Sequence, residues 1–435
     1  MIERDIVCEV VTPLFSRGAS SPISKAYPFE LRPQSVKGVM RFWLRAIAPL
    51  VIDIYELDGL DKLNRDERKK WEGERYKGLK YLEELIFGSQ NRRAPFGLQV
   101  IVPRNIRTLN GYKLKKDRNP NSKNPKDYRF EAEVPFQSYS VYGLHNDDDM
   151  VTYQYIGSGE KFTLKFYIRD EQIADVLLNI LWMVSIFSGF GAKTRKGYGE
   201  FRIINQGNII GNRDAFSDAQ AQVTKILNTF VKMHNATNSY PKFVIRPTQF
   251  KSLPEFPTFS SICLQKLNRL KGSNWSNVME KLYFSSRNSR GMYLNLKGNL
   301  RRLKGDSVAS LINGLNGNRK DVTIYPAILG LPIQYQNLKG FSRDLKVVIS
   351  SLIEVDGEEI ESRKASPAFI SIHGSNNNWF PVVLLLESWT TGDREHLRIS
   401  KSVGSGVNTN FNVLGFEDYK ELQRLIEELG VDKNG

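Results

Sequence analysis

Residues 189–201 read Gly-Phe-Gly-Ala-Lys-Thr-Arg-Lys-Gly-Tyr-Gly-Glu-Phe. Four glycines surround Lys193, Arg195 and Lys196, with Thr194 and Tyr198 between them. Glycine permits positive φ and lets another chain approach closely. Three cations in such a loop suit a phosphate backbone, which takes both N–H donors and positive charge. Lys193-Thr194 is similar to the end of a nucleotide-binding P-loop, but Ala192 and Phe187 stand where that motif requires glycine. The order is also reversed, since the stretch follows an apolar helix-like segment and precedes a strand-like one. The reading is a polyanion-binding loop, not an ATP site.

The neighbouring segments give the fold. Residues 171–187 form an apolar helix, and Lys161–Ile168 alternates apolar with mostly polar residues as a strand does. Gly199–Ile204 reads as the strand after the loop. Near the start, Asp5–Thr12 is a β-branched strand ending at Pro13, followed by a Ser-, Gly- and Pro-rich loop to Pro33. Residues 34–48 carry Val36, Val39, Met40, Trp43, Leu44 and Ile47 at helical spacing. A charged insertion over 61–87, one helix or two, closes at Gly88, and Phe96–Val102 is another strand. The order is β-α-β-β-α-β with insertions, the ferredoxin-like (RRM-like) split βαβ arrangement.

Between Lys113 and Arg129 stand seven cations against two acids, with Pro120 and Pro125, so 104–150 reads as a mobile polar loop. A helix over about 215–233 serves as a connector. In the second half, strands are expected at 242–246, 259–265, 291–296, 324–329, 344–350, 367–373 and 379–387, and helices near 274–284, 305–313 and 416–429. The chain therefore divides into a ferredoxin-like domain at 1–205, a connector at 206–240, and a second α+β domain at 241–435. The expected class is α+β with two ferredoxin-like domains.

A chain of 435 residues agrees with that division. Its net charge of +15 favours an anionic partner, nucleic acid or a membrane surface. Cys8 and Cys263 make no disulfide framework, and His145, His234, His373 and His396 have no zinc spacing, so neither metal nor cofactor is expected. The first residues, Met-Ile-Glu-Arg-Asp, hold no apolar signal core. The longest uncharged run, Val176–Ala192, includes Asn179, Ser185, Ser188 and two glycines, so its first part is a buried helix and not a membrane span. A soluble cytoplasmic protein is expected.

On the helix at 34–48, Lys37, Arg41 and Arg45 recur at i, i+4 and i+8 and form a basic stripe beside the apolar face. Gly38 there costs about 1 kcal/mol relative to Ala, a cost explained if a neighbour or ligand backbone needs the room. Trp43 falls among the apolar positions, so packing competes with base stacking. Ser35 is an N-cap or first-turn residue, or a phosphate contact.

Three motifs in register resemble the RAMP superfamily, and within it the first-subunit family of type III-B CRISPR (Cmr) effector complexes. They are Ser35-x-Lys37-Gly38-x-x-Arg41-x-Trp43-x-Arg45-Ala46, then Leu82-Glu83-Glu84-Leu85-Ile86-Phe87-Gly88-Ser89, then Gly189-x-Gly191-Ala192-Lys193-Thr194-Arg195-x-Gly197-x-Gly199. Arg363-Lys364-Ala365-Ser366-Pro367 is similar to a basic-Ser-Pro segment of that family's second domain. The resemblance implies a non-catalytic RNA-binding subunit for antiviral defence, built from two ferredoxin-like domains. Its partners would be a CRISPR guide RNA near its 3′ portion, the target RNA paired to it, and other RAMP subunits. It further implies RNA contacts from Lys37, Arg41 and Arg45 on the helix, from Lys193, Thr194, Arg195 and Lys196 in the loop, and from Arg363 and Lys364. Trp43 matches the motif's tryptophan, with stacking and packing both open.

A subunit that accepts any guide sequence binds backbone and shape, not base edges, and no aromatic pair of the RNP type marks a strand here. The rival reading is a metal-independent RAMP endoribonuclease that processes CRISPR precursor RNA, which needs a positioned acid–base group. His145 lies near Asp147, Asp148 and Asp149, a run that also reads as a solvated turn. His373 precedes Gly374 and Ser375 in an expected hairpin loop, while His234 and His396 lie in connector and loop regions. No histidine falls within the three motifs.

Overall fold

The computed structural model describes residues 1–19, 27–48, 77–109, 114–116, 128–130, 140–141, 143–144, 152–204, 228–229, 257–259, 264–283, 291–300, 325–330, 333–336, 346–355, 358–388, 395–401, 407–408 and 416–430. The expected strand at 242–246, the helix at 305–313, most of the connector, His145, His234 and the Asp147–Asp149 run lie outside them.

The N-terminal half begins with β1 (Ile2–Val10), α1 (Pro33–Ile47) and α2 (Lys77–Phe87). It continues with β2 (Phe96–Ile101), β3 (Lys161–Ile168), α3 (Glu171–Phe187) and β4 (Phe201–Ile203). The four strands form one antiparallel sheet in the order β2-β3-β1-β4. With α2 as an insertion, this is the spatial order of a split βαβ unit. Register follows from alternation: Ile6, Cys8 and Val10 of β1 and Phe162, Leu164, Phe166 and Ile168 of β3 are buried, and their neighbours are less so. On the more exposed face, Lys165 pairs with Glu3 across the strands at 3.0 Å, a contact that water leaves worth little.

Pro33 starts α1 at a position where its missing N–H costs nothing, and Val36, Met40, Trp43, Leu44 and Ile47 face the core. Asp170 caps α3 by accepting the Ile173 N–H at 2.9 Å. Both helices share one hydrophobic core with the sheet.

The C-terminal half contributes β5 (Leu264–Lys266), α4 (Trp275–Tyr283), α5 (Met292–Leu300), β6 (Ile333–Gln336), β7 (Lys346–Val355), β8 (Glu358–Ser362), β9 (Ala368–Ser375), β10 (Asn378–Leu385), β11 (Glu395–Lys401), β12 (Val407–Asn408) and α6 (Phe416–Gly430). Its strands make two antiparallel sheets, β5-β10-β9 and β6-β7-β11-β12, with β8 also paired to β7. The architecture is thus mixed α+β with antiparallel sheets.

Two expectations change here. The strand expected at 291–296 is the helix α5, and the one at 324–329 is a 3₁₀ turn, Tyr325–Leu329. In α5 the buried residues Met292, Tyr293, Leu296 and Leu300 follow helical spacing, which the short window hides.

The β9–β10 hairpin turns at Asn376 and Asn377, both at positive φ, which suits a two-residue turn between twisted strands. One face of it, through Phe369 and Leu384, joins the N-terminal core. The other, through Ile370, Ile372, Val383 and Leu385, joins a second core with α4, α5 and α6. Burial on both faces explains its continuous apolar sequence.

Gly199 and Gly38 should respond oppositely to alanine. Gly199 sits at φ +71° and a Cβ there would lie 2.0 Å from the Phe190 carbonyl, so Gly199→Ala is expected to cost at least ~2 kcal/mol in urea unfolding. A Cβ on Gly38 meets nothing within 4 Å, so Gly38→Ala should stabilise by ~0.5–1 kcal/mol.

Candidate nucleic-acid interface

The glycine loop leaves α3 and returns as β4, and its backbone is tied down along its length. The Phe190 N–H donates to the Gly199 carbonyl at 2.9 Å, Ala192 to Phe15 at 2.7 Å and Gly199 to Pro13 at 2.9 Å. The chain that glycine lets approach is this protein's own. A Cβ on Gly191 would stand 2.1 Å from the Phe15 carbonyl oxygen. Lys193 holds a left-handed φ of +64°, and its carbonyl accepts the Lys196 N–H at 2.8 Å. The loop is a packed turn with cations on it.

Those cations are not equivalent. Arg195 lies against both the Phe42 and Phe369 rings, 5.2 and 4.7 Å from their centroids, and donates through Nη1 to the Ser366 carbonyl. Burial lowers its pKa to about 10, so it stays charged at neutral pH and acts as a staple between α1 and β9. Lys196 runs beside β9, its carbonyl accepts the Tyr283 hydroxyl at 3.1 Å, and its ammonium lies 5.9 Å from the centre of the Tyr293 ring. Burial, with help from Lys193 and Lys297, pulls the Lys196 pKa down to about 7. Lys193 is half-buried and also shifted down by burial. Thr194 is half-buried beside it. Exposed Arg363 and half-buried Lys364 precede Ser366, the acceptor for Arg195, so the basic-Ser-Pro segment does meet the loop.

The α1 stripe serves another contact. Arg45 grips Glu83 of α2 with two hydrogen bonds, 2.7 and 2.9 Å. Arg41 donates to the Phe87 and Gly88 carbonyls at 3.2 and 3.3 Å, satisfying orphan acceptors at the C-terminus of α2. The Lys37 ammonium lies 4.7 Å from the centre of the Phe96 ring, and burial with the neighbouring Arg41 lowers its pKa. Trp43 is fully buried against Phe42, Phe187 and Phe369, and its Nε1 donates to Ser188 Oγ at 2.9 Å. No face of Trp43 is open to a base, so of its two readings the structure takes packing and corrects its place among RNA-contacting residues. Gly38, which no described residue crowds, leaves its room unused.

The structure therefore brings Lys193, Thr194, Lys196, Arg363 and Lys364 to the loop's side, and Lys37, Arg41 and Arg45 to the α1–α2 side. Lys297, on α5, is the residue the sequence missed. Nothing near it in the chain signals a site; only tertiary packing sets it beside Lys196. His373 is also corrected: it lies in β9, fully buried, with Nε2 2.8 Å from Ser371 Oγ and its ring stacked on Phe380. Among the described residues no group of three or more potential metal ligands gathers, and no helix is long and apolar enough to cross a membrane.

The β2-β3-β1-β4 sheet with a glycine loop before its last strand corresponds to residues 7–202, which match the model of the RAMP superfamily. The chain is similar to CRISPR system Cmr subunit Cmr1-2 of Pyrococcus furiosus, 28% identical over 210 residues, which covers 47% of this chain and 96% of that protein. Two solved structures are similar over most of the chain. One is the apo crystal structure of Cmr1 from Pyrococcus furiosus, with 12% identity, a TM-score of 0.41, and coverage of 98% of this chain and 97% of that one. The other is a chain of the type III-B Cmr-beta complex bound to cognate target RNA, with 13% identity, a TM-score of 0.45, and coverage of 98% and 99%.

The Lys196 shift makes a stability prediction. Between about pH 7 and the ordinary lysine value of 10.5 the folded protein leaves this amine neutral while the unfolded chain protonates it. The unfolded state then binds more protons, so this group's contribution rises with pH across that window, and its cost is fully present below pH 7. Lys196→Met should therefore raise the urea midpoint clearly at pH 6 and hardly at pH 10.

Proposed function

We propose that this chain is a non-catalytic, RNA-binding RAMP subunit of a cytoplasmic type III-B Cmr complex, holding the backbone of the guide RNA or of its duplex with target RNA beside other RAMP subunits. The observation that carries this reading is the convergence of Lys193, Lys196 and Lys297 at the glycine loop of a RAMP domain. Burial chiefly drives Lys196 toward neutrality and repulsion from Lys193 and Lys297 adds to it, an arrangement that suits a polyanion. Backbone contacts of this kind carry no sequence information, as a subunit serving many guides requires. The likeness to a Cmr subunit supplies the assembly. In this reading 1–205 is the RNA-facing ferredoxin-like domain, 206–240 the connector, and 241–435 a second, elaborated domain of the same ancestry that lends Lys297, Arg363 and Lys364 to the surface.

Labelled single-stranded RNAs of unrelated sequence test it, with and without divalent metal. Intact RNA should be retained in both cases, and cleaved product would replace this reading with the endoribonuclease one. Lys193→Ala and Lys297→Ala should each weaken binding to every RNA and reduce the slope of log K against log salt by about 0.7. Because Lys196 gains its proton below about pH 7, affinity should fall between pH 6 and 8.5, and Lys196→Gln should remove that dependence. Loss of affinity for one sequence alone would contradict backbone binding.

A further inference from the structure

The corner between α1 and α2 forms an open cleft of about 670 Å³ lined by Arg41, Arg45, Leu79, Lys80, Glu83 and Phe87 and by the turn after α2. That turn brings in Arg92 and Arg93. It is a fixed structure: the Ser89 N–H donates to the Arg92 carbonyl at 2.8 Å, and the Asn91 N–H to Ser89 Oγ at 3.3 Å. Gly88 enters it at φ +75°, where a Cβ would strike the Ala94 backbone nitrogen at 2.6 Å. Both arginines are therefore exposed on a constrained backbone beside the cavity.

The charges in the wall do not cancel. Arg41, Arg45, Lys80, Arg92 and Arg93 face Glu83 and Glu84. Glu83 is already engaged, with Arg45 in a two-point contact and Arg41 Nε at 3.7 Å. That same Arg41 Nε is buried and has no hydrogen-bond partner among the described residues. The cavity thus offers two exposed guanidinium forks suited to phosphate and an apolar floor from Leu79 and Phe87. Guanidinium planes also stack on bases.

We propose that this cavity binds one nucleotide, its phosphate on Arg92 and Arg93 and its base over the Leu79 side of the floor. The site uses none of the loop cluster's lysines and does not depend on the reading given for them. The nucleotide is either free or one unit of an RNA strand, since the chemistry recognised is the same.

The test uses the full chain and the double variant Arg92→Ala/Arg93→Ala, whose exposed positions leave both cores untouched, with Lys193→Ala/Lys297→Ala beside it. Unfolding midpoints establish that both variants fold. The four nucleoside monophosphates and a single-stranded RNA oligomer are titrated calorimetrically. A free nucleotide as ligand predicts saturable monophosphate binding that falls about tenfold or more in the arginine variant and holds in the lysine variant. A strand unit predicts no monophosphate binding, but a similar fall in oligomer affinity in the arginine variant. If the arginine variant binds monophosphates and oligomer as the parent does, or if nothing binds the parent, the proposal is overturned. A fall confined to the lysine variant leaves the loop reading standing without this one.

Discussion

The fold hangs on the backbone of residues 189–200, which runs between two hydrophobic cores with many of its polar groups paired. A buried peptide that lacks a hydrogen-bond partner is costly, so such a segment survives only if something meets it at every step. Here Pro13 and Phe15 take up the N–H groups of Gly199 and Ala192, and the Glu200 carbonyl accepts the Val11 N–H at 2.7 Å. Two charged side chains from the segment then fasten it to β9. Arg195 donates to the Ser366 carbonyl, and the fully buried Glu200 carboxylate accepts the Ile372 N–H with both oxygens at 2.9 Å. The glycines serve this closeness first. A loop built so tightly presents its lysines from a rigid base, which limits the entropy lost when a ligand is held.

Because β9 and β10 lie in both cores, the two halves share an interior. Phe369 touches Phe42 and Trp43 on one side, while Ile370 and Ile372 on the next positions face the other core. Strain at the seam therefore reaches α1 and the C-terminal helices alike, and Arg195, stacked on Phe42 and Phe369, sits where the two meet.

Elements with one wet face were legible in the sequence. β3 and α3 fall at the expected residues, Lys161–Ile168 and Glu171–Phe187, because alternation and capping both mark them. The β9–β10 hairpin, apolar throughout and buried on both faces, also falls at the expected strands, but where the pattern is short the sequence misleads. Met292, Leu294 and Leu296 alternate like a strand, yet Tyr293 and Leu300 complete a helical face visible only over a longer stretch. β6, β8 and β11 were not foreseen, since charged and polar residues dominate them and, for β11, the partner β7 lies about 45 residues earlier in the chain. At the site, residue types were readable but their partners were not. Nothing in the spacing of Arg41 and Arg45 says that Glu83 and the end of α2 take up much of their charge.

That division of labour separates cations that hold the fold from cations that load it. Arg195 and Arg45 meet an acceptor of their own, and the protein gains from each of them without any ligand. Lys196 differs, because burial and its two lysine neighbours disfavour its charge. An anion at the loop would reverse the balance: its negative charge stabilises the protonated amine, so binding draws in a proton and the cost of burying the lysine becomes part of the attraction. The loop lysines and Lys297 thus concentrate positive charge in one place, and burial opposes it at Lys193 and Lys196.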